Sequence, residues 1–308
     1  MSAGCTLMPT SSQVTEPNVS GLFPRVWRFL RKTWPEQKKS LYFRWTSAFP
    51  RIPAPLRLPF GAWWLVRPDN AGLPISQGQF EQAEISFVSR FLKPGMTVLD
   101  IGAHNGLYTL LASKRVGSRG RVFAFEPSTR ERAALLQHLR INRCGNVSTE
   151  ALAVGSENKD ANLFVVQGSQ TACNSLKKPA ADVVGTLAPQ SVKVVKLDDW
   201  LSRKNVGAVD FIKLDVEGGE LEVLKGALLL VSGRPRPVIL AEVQDVRTLP
   251  WGYSAIEIID YLRNQGYLWF GLRTNGSVEE VNFASAEVEG NFVACPSESI
   301  SVLESVKI

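Results

Sequence analysis

Five acidic residues in this sequence stand at or just past the ends of short apolar runs: Asp100, Glu126, Asp215, Glu217 and Glu242. Carboxylates in such places can bind hydroxyls or cations, or move protons. The run Val98-Leu99-Asp100-Ile101 continues as Gly102-Ala103-His104-Asn105-Gly106 and passes directly into a helical pattern from Leu107. A strand, a glycine turn and a helix start bring backbone N–H groups up to a ligand. Twenty-six residues past Asp100 the run Val122-Phe123-Ala124-Phe125 ends in Glu126-Pro127. A carboxylate at the end of a second strand can accept hydrogen bonds from both hydroxyls of a ribose, so these features together suggest a nucleoside cofactor.

The turn narrows the choice of nucleoside. A dinucleotide lays its pyrophosphate on G-x-G-x-x-G, whose second glycine lets the backbone approach. Here that place holds His104, and Asp100 sets a negative charge where a pyrophosphate would lie. The spacing to Glu126 is also longer than the roughly 20 residues of the nicotinamide fingerprint. S-adenosylmethionine has an ammonium and two ribose hydroxyls but no phosphate, and it suits the turn better. A nicotinamide oxidoreductase is the disfavoured alternative.

The densest group of candidate chemistry is Asp215-Val216-Glu217-Gly218-Gly219-Glu220, after the apolar run Phe211-Ile212 and before a helical pattern from Leu221. Asp215 and Glu217, with Glu242 third, are the candidate bases for removing a proton from an attacking hydroxyl. Lys213 lies on the same side of its strand as Asp215 and can tune it. Glu220 suits a helix N-terminus, where the dipole favours an acid. His104 has an ordinary pKa suited to proton transfer, but its place in the turn favours a cofactor contact. The acids lie on different strands without a diagnostic metal-ligand spacing, so no metal is expected.

Four blocks in order, VLDIGAHNGLYTLLA (98–112), VFAFEPS (122–128), DFIKLDVEGGELEVLKGA (210–227) and PVILAEV (237–243), resemble the FkbM-type class I S-adenosylmethionine-dependent methyltransferases. VKLDDWL (195–201) matches the segment before that family's fourth core strand, and the likeness runs from about Gln79 to Ala294. The family carries Asn where this chain has His104. The resemblance implies an α/β fold: a Rossmann-like, doubly wound, mostly parallel sheet with an antiparallel closing strand. It implies methyl transfer to a hydroxyl of a glycan or a polyketide-like small molecule. It also implies a cofactor site of Glu81, Asp100, Gly102, Ala103, His104, Gly106, Glu126, Pro127, Asn142 and Ala153. In that site Glu126 holds the ribose, Gly102-Ala103-His104 face the methionine portion, and Ala153 lies where adenine rests. A non-catalytic cofactor-binding or scaffold protein, docking through a basic N-terminal segment, is the alternative of a different class.

The elements that would position these residues alternate regularly. Helical periodicity over 80–92 stops at Lys93-Pro94-Gly95. Strands are expected near 98–101, 121–125, 149–154, 210–214, 237–243, 267–272 and 291–295. Helices are expected from Leu107 and near 128–142, 219–231 and 254–265. Such alternation implies a parallel sheet with right-handed crossovers. Residues 156–197 read as an irregular, strand-like insertion beside the cofactor edge.

The chain has 308 residues, 44% apolar and 21% charged, ordinary for a soluble globular protein with an ample core. Its net charge of +6 is concentrated: residues 21–51 hold eight bases against Glu36 alone, so residues 52–308 are neutral overall. Residues 1–20 read as a disordered polar tail, 21–75 as a basic, aromatic cap, and 76–308 as the methyltransferase domain. Within the cap, 23–32 has amphipathic helical spacing and 61–68 reads as an extended or hairpin element. The cap can pack on the core over the substrate, or touch a membrane surface through residues 21–45; nucleic acid is not expected. Cys5, Cys144, Cys173 and Cys295 are widely spread, which supports neither a zinc cluster nor a disulfide framework. Reduced thiols, no spanning segment and no signal peptide point to a cytoplasmic protein.

Overall fold

The computed structural model describes residues 52–67, 74, 75, 78–168, 170–283, 288–304 and 306, with Gln37, Leu41, Arg44, Trp45, Ala48 and Phe49. The expected tail over 1–20 and helix over 23–32 lie outside the described residues. The first strands, β1 (Ala54–Arg57) and β2 (Trp63–Val66), pair as a hairpin, as the extended reading of 61–68 anticipates. Helix α1 (Gln82–Phe91) follows, then β3 (Thr97–Ile101), α2 (Leu107–Val116), β4 (Arg121–Phe125) and α3 (Thr129–Asn142). Next come β5 (Val147–Glu150), β6 (Leu152–Val154), β7 (Lys159–Gln167), β8 (Thr186–Val195) and α4 (Leu197–Arg203). The chain goes on through β9 (Phe211–Leu214), α5 (Glu220–Lys225), α6 (Leu228–Ser232), β10 (Val238–Gln244) and the short α7 (Asp245–Thr248). A 3₁₀ turn (Leu249–Trp251), α8 (Ala255–Asn264), β11 (Tyr267–Leu272), β12 (Val278–Glu280) and β13 (Glu289–Pro296) complete the fold before a last 3₁₀ helix (Ser297–Leu303).

The eight-stranded main sheet runs β12-β11-β13-β10-β9-β3-β4-β5. From β10 to β5 it is parallel, while β13 is antiparallel to both β10 and β11 and closes the sheet. The central strands are mostly apolar, as strands with helices on both faces are, with Asp100 in β3 and Lys213 in β9 as buried exceptions. On one face Leu99, Ile101, Phe125, Ile212 and Ile239 pack with Trp200 of α4, Leu221 of α5 and Ile258 of α8. On the other, Val98, Val122, Phe211 and Leu240 pack with Phe87 and Phe91 of α1 and Leu111 of α2. Each such aliphatic side chain contributes roughly 1.5–3 kcal/mol by leaving water. Strands β4 and β5 lie to one side of β3, and β9 and β10 to the other. The β3/β9 junction is therefore the switch point, whose C-terminal side is where such sheets bind ligands.

Three expectations about local structure are corrected. The single strand expected over 149–154 divides between sheets: β5 ends the main sheet, and β6 joins a second, three-stranded sheet of order β6-β8-β7. The insertion over 156–197 is strand-like as expected but more ordered than expected, since β7 and β8 form a long antiparallel ladder from Lys159↔Val194 to Gln167↔Thr186, while the connection between them is irregular. The helix expected over 219–231 breaks at Gly226. A Cβ there would come 2.0 Å from the Gly155 carbonyl oxygen, so the two backbones touch where a helix bearing side chains has no room. Among the described residues no helix is long and apolar enough to cross a membrane.

Candidate active site

A cavity of about 300 Å³ opens at the C-terminal ends of β3, β4, β9 and β10, walled on one side by β6 and the segment joining β7 to β8. The turn after β3 is shaped by one close approach. Gly102 has φ +86°, and a Cβ on it would lie 1.7 Å from the Asp215 carbonyl oxygen. That contact locks the end of β3 to the end of β9, and the Asp215 N–H donates to the Ile101 carbonyl at 3.0 Å. Gly106, at φ +90°, starts α2 against Leu135.

The N–H groups of Gly102, Ala103 and His104 are bonded within the protein, where the reading from sequence offers them to a ligand. Those of Gly102 and Ala103 both donate to the Phe125 carbonyl, at 3.1 and 3.0 Å. The His104 N–H donates to Glu126 Oε2 at 2.8 Å, and the Ser128 N–H donates to Glu126 Oε1 at 2.8 Å. The turn thus orients the carboxylate rather than the ligand. Glu126 is buried at 6% exposure, and burial pushes its pKa up to about 8 despite those two donors. Each oxygen keeps a lone pair for a further donor.

Asp100 and Glu81 line the cavity beside it. Asp100 accepts from the Thr109 hydroxyl, and burial raises it to about 6. Glu81 stands at φ +41° before α1, accepts from the Tyr108 hydroxyl at 2.5 Å, and is raised by burial to about 7. His104 has φ +47°, and its Nε2 lies 3.4 Å from the Thr171 hydroxyl. Pro127 and Ala153 also line the cavity, Ala153 within an apolar wall that includes Leu152, Val154 and Leu163.

Two of the expected cofactor residues lie elsewhere. Gly106 is a turn residue outside the cavity lining. Asn142 faces the opposite way: its side chain accepts from the Trp63 N–H and donates to the Trp63 carbonyl, both at 2.7 Å. It fastens the β1–β2 hairpin to α3, next to a stack of Trp64 on His138 with centroids 4.0 Å apart. His138, lowered by burial to about 4, is a neutral acceptor for the Leu65 N–H at 3.0 Å.

The remaining acids of the cavity converge beside β9 and β10. Asp215, Glu217 and Glu242 bring oxygens within 4.8 Å of one another. That spacing would admit a divalent cation, but the cluster already has cations of its own. Lys213 is buried at 2% exposure, and its Nζ lies 3.0 Å from Asp215 Oδ2. Burial pulls its pKa down, yet Asp215, Glu81 and Glu242 outweigh burial and hold it protonated. Arg247 Nε is 3.2 Å from Glu217 Oε2. Burial, then Asp215, pushes Glu217 up to about 8, and the same two causes carry Glu242 well above the ordinary range. Glu220 takes the helix-start role: its Oε1 accepts from the N–H groups of Val216 at 2.9 Å and Gly218 at 3.3 Å.

Tyr108, Arg247, Gln244, Ser175 and Trp251 also line this cavity and escape a reading by motif. Gln244 carried a signal, because it stands two residues beyond Glu242 on the same strand face and donates to it at 3.0 Å. Ser175 carried none, since it arrives from the far end of the β7–β8 hairpin.

The charged lining comprises Glu81, Asp100, Glu126, Asp215, Glu217 and Glu242 against Lys213 and Arg247. Carboxyls raised by burial gain from an arriving cation and would oppose a pyrophosphate. The donor set therefore fits a cationic nucleoside with free ribose hydroxyls.

Comparison with known proteins agrees with that chemistry. Residues 100–268, more than half of the chain, match the family model "Methyltransferase FkbM domain". The 31-O-demethyl-FK506 methyltransferase FkbM of Streptomyces tacrolimicus is 29% identical over 244 residues, covering 69% of this chain and 88% of that protein. The ribosomal RNA large subunit methyltransferase E of Alkalilimnicola ehrlichii is 40% identical over 63 residues, 20% of this chain. The chain spans only 30% of that relative's length, and 57% of the length of the Methyltransferase 1 of Beauveria bassiana. The crystal structure of Methyltransferase FkbM from Methylobacillus flagellatus aligns with a TM-score of 0.43 at 17% identity, over 73% of this chain and 54% of that one.

Proposed function

The chain belongs to the FkbM methyltransferase family, and on that premise we propose that it is an S-adenosylmethionine-dependent O-methyltransferase acting on a hydroxyl of a glycan or polyketide-like small molecule. The observation that carries this reading is a single cavity lined by acids at the C-terminal ends of the parallel strands. Glu126, after β4, is suited to ribose hydroxyls, while Asp215, Glu217 and Glu242, gathered within 4.8 Å of one another, are suited to an attacking hydroxyl. Glu81 and Asp100 stand in the field of the Lys213–Asp215 pair and are suited to an ammonium. The relative named for 31-O-demethyl-FK506 supports oxygen as the site of transfer.

When bound, S-adenosylmethionine supplies the methyl group. The chain aligns and deprotonates the acceptor. A neutral hydroxyl is a weak nucleophile, and a carboxylate at hydrogen-bond reach takes its proton as the new bond forms. Glu217 and Glu242 have raised pKa values, so each can hold that proton near neutral pH. The Lys213 ammonium fixes Asp215 at 3.0 Å and keeps the acid cluster from repelling itself apart. Leu152, Ala153 and Leu163 exclude water from the adenosine side.

Calorimetric titration with S-adenosylmethionine, S-adenosylhomocysteine and NAD tests the reading. Saturable binding of the first two alone is expected, followed by methyl transfer to members of a panel of methyl glycosides and macrolide alcohols. Binding of NAD, or of none of the three, overturns it.

A further inference from the structure

Glu217 is held in a backbone conformation that a glutamate does not adopt by itself. Its φ is +55°, in the left-handed region, and such a residue persists only where its surroundings over-determine it. Two side chains from distant segments supply that constraint at its carbonyl oxygen. The Ser175 hydroxyl donates at 2.9 Å, from the segment joining β7 to β8, and the Trp251 indole N–H donates at 3.3 Å, from the 3₁₀ turn after α7. Gly218 and Gly219 then admit Arg247 and Trp251 against the loop: a Cβ on Gly218 would lie 2.0 Å from the Arg247 carbonyl, and one on Gly219 2.8 Å from the Trp251 ring.

The side chain is held as well. Arg247 uses two nitrogens on two different segments, Nε toward Glu217 Oε2 at 3.2 Å and a terminal nitrogen toward Asp182 Oδ1 at 3.0 Å. The guanidinium fork suits this bridge, and a single ammonium cannot reproduce it. Asp182 belongs to the same segment as Ser175, which also supplies Ala172, Cys173 and Leu176 to the cavity wall.

We propose that Arg247 is a positioning residue that clamps the Glu217 carboxylate and, through Asp182, seats the segment over residues 170–184 as a wall of the acceptor site. This rests on the reading of Glu217 as a proton acceptor in methyl transfer. Its consequence is that Arg247 joins the acid loop 215–219 to the wall 170–184 beside the bond from Ser175, with one of its two contacts holding each segment.

Hydrogen–deuterium exchange with S-adenosylhomocysteine as the bound probe tests the coupling. Arg247→Gln is expected to raise exchange about tenfold or more in 215–219, the loss that follows a hydrogen bond to a charged group, and about threefold in 170–184, where Asp182 is half exposed and its ion pair screened. Arg247→Lys is expected to restore 215–219 only, because its ammonium reaches Glu217 alone. Asp182→Asn is expected to loosen 170–184 and spare 215–219. A merely structural arginine would loosen both segments in Arg247→Gln and Arg247→Lys alike, and that pattern overturns the proposal, as does unchanged exchange. If Arg247→Gln does not fold, Arg247→Lys and Asp182→Asn carry the same test. A wild-type protein that titrates with no S-adenosylmethionine overturns the functional reading and the clamp with it. One that binds it but shows none of these patterns overturns the clamp alone.

Discussion

Glu126→Gln separates the role of charge at the cofactor site from the role of shape. Glutamine fills the same space, but one acceptor oxygen becomes an amide NH₂. Both carboxylate oxygens receive backbone donors at 2.8 Å, from His104 and Ser128, so whichever way the amide turns one N–H meets another donor. At 6% exposure no water replaces the lost acceptor, and the orphaned N–H costs about 1–3 kcal/mol of stability. The ligand loses more. Above about pH 8, where Glu126 is ionised, two ribose hydroxyls donating to its charged carboxylate are worth roughly 1.5–3 kcal/mol each. Losing about 3 kcal/mol in all weakens affinity by more than a hundredfold. Calorimetric titration with S-adenosylmethionine, alongside urea denaturation of both proteins, reads the two effects separately. A variant that is destabilised but binds with a dissociation constant within about threefold of wild type would refute the ribose assignment.

Other expectations follow from the same geometry. Burial raises Asp100, Glu81, Glu126 and Glu217 to values between about 6 and about 8, so the folded state keeps protons that the unfolded chain gives up above its ordinary carboxyl range. Stability of the ligand-free protein should therefore fall as pH rises from about 5 through about 8, and a urea midpoint that climbs over that range contradicts the linkage. Glu217→Gln should lower kcat by about a hundredfold or more while leaving cofactor affinity intact; full turnover would shift the proton-accepting role to Glu242 or Asp215. Asn142→Ala removes the two bonds to the Trp63 backbone, so it should cost about 1–3 kcal/mol of stability and spare cofactor affinity. A large affinity loss without destabilisation would return Asn142 to the cofactor site. Gly102→Ala drives a Cβ to 1.7 Å from the Asp215 carbonyl at φ +86°, and a soluble variant with wild-type thermal stability would show that the β3–β9 contact is not tight.

The parts of this protein that were legible in its sequence are those whose causes are local. β3, β4 and β9 are short, buried and mostly apolar strands, broken by Asp100 and Lys213, and the glycine after β3 is needed where the backbone meets the Asp215 carbonyl. The carboxylates at their ends were visible because strand ends face the ligand side of such a sheet. Asn142 was misplaced because its partner, Trp63, is 79 residues away in a hairpin whose docking leaves no periodic trace. The split of β5 from β6 was hidden for a related reason: a one-residue gap at Ala151 redirects the chain to pair with β8, over 40 residues on.

The same distinction explains why the turn after β3 was read for the wrong task. Glycine spacing reports where the backbone bends, not where its N–H groups point, and here a single carbonyl, that of Phe125, takes two of them. The third N–H, that of His104, holds the Glu126 carboxylate, which lines the cavity. Chemistry at Glu126 thus depends on a side chain fixed by backbone, whereas the backbone of Glu217 is fixed by side chains, those of Ser175 and Trp251. The first arrangement is written in one continuous strand–turn–helix and is readable from it. The second is assembled from the β7–β8 insertion and the segment after β10, which ties control of the acceptor site to the segments least constrained by the sheet.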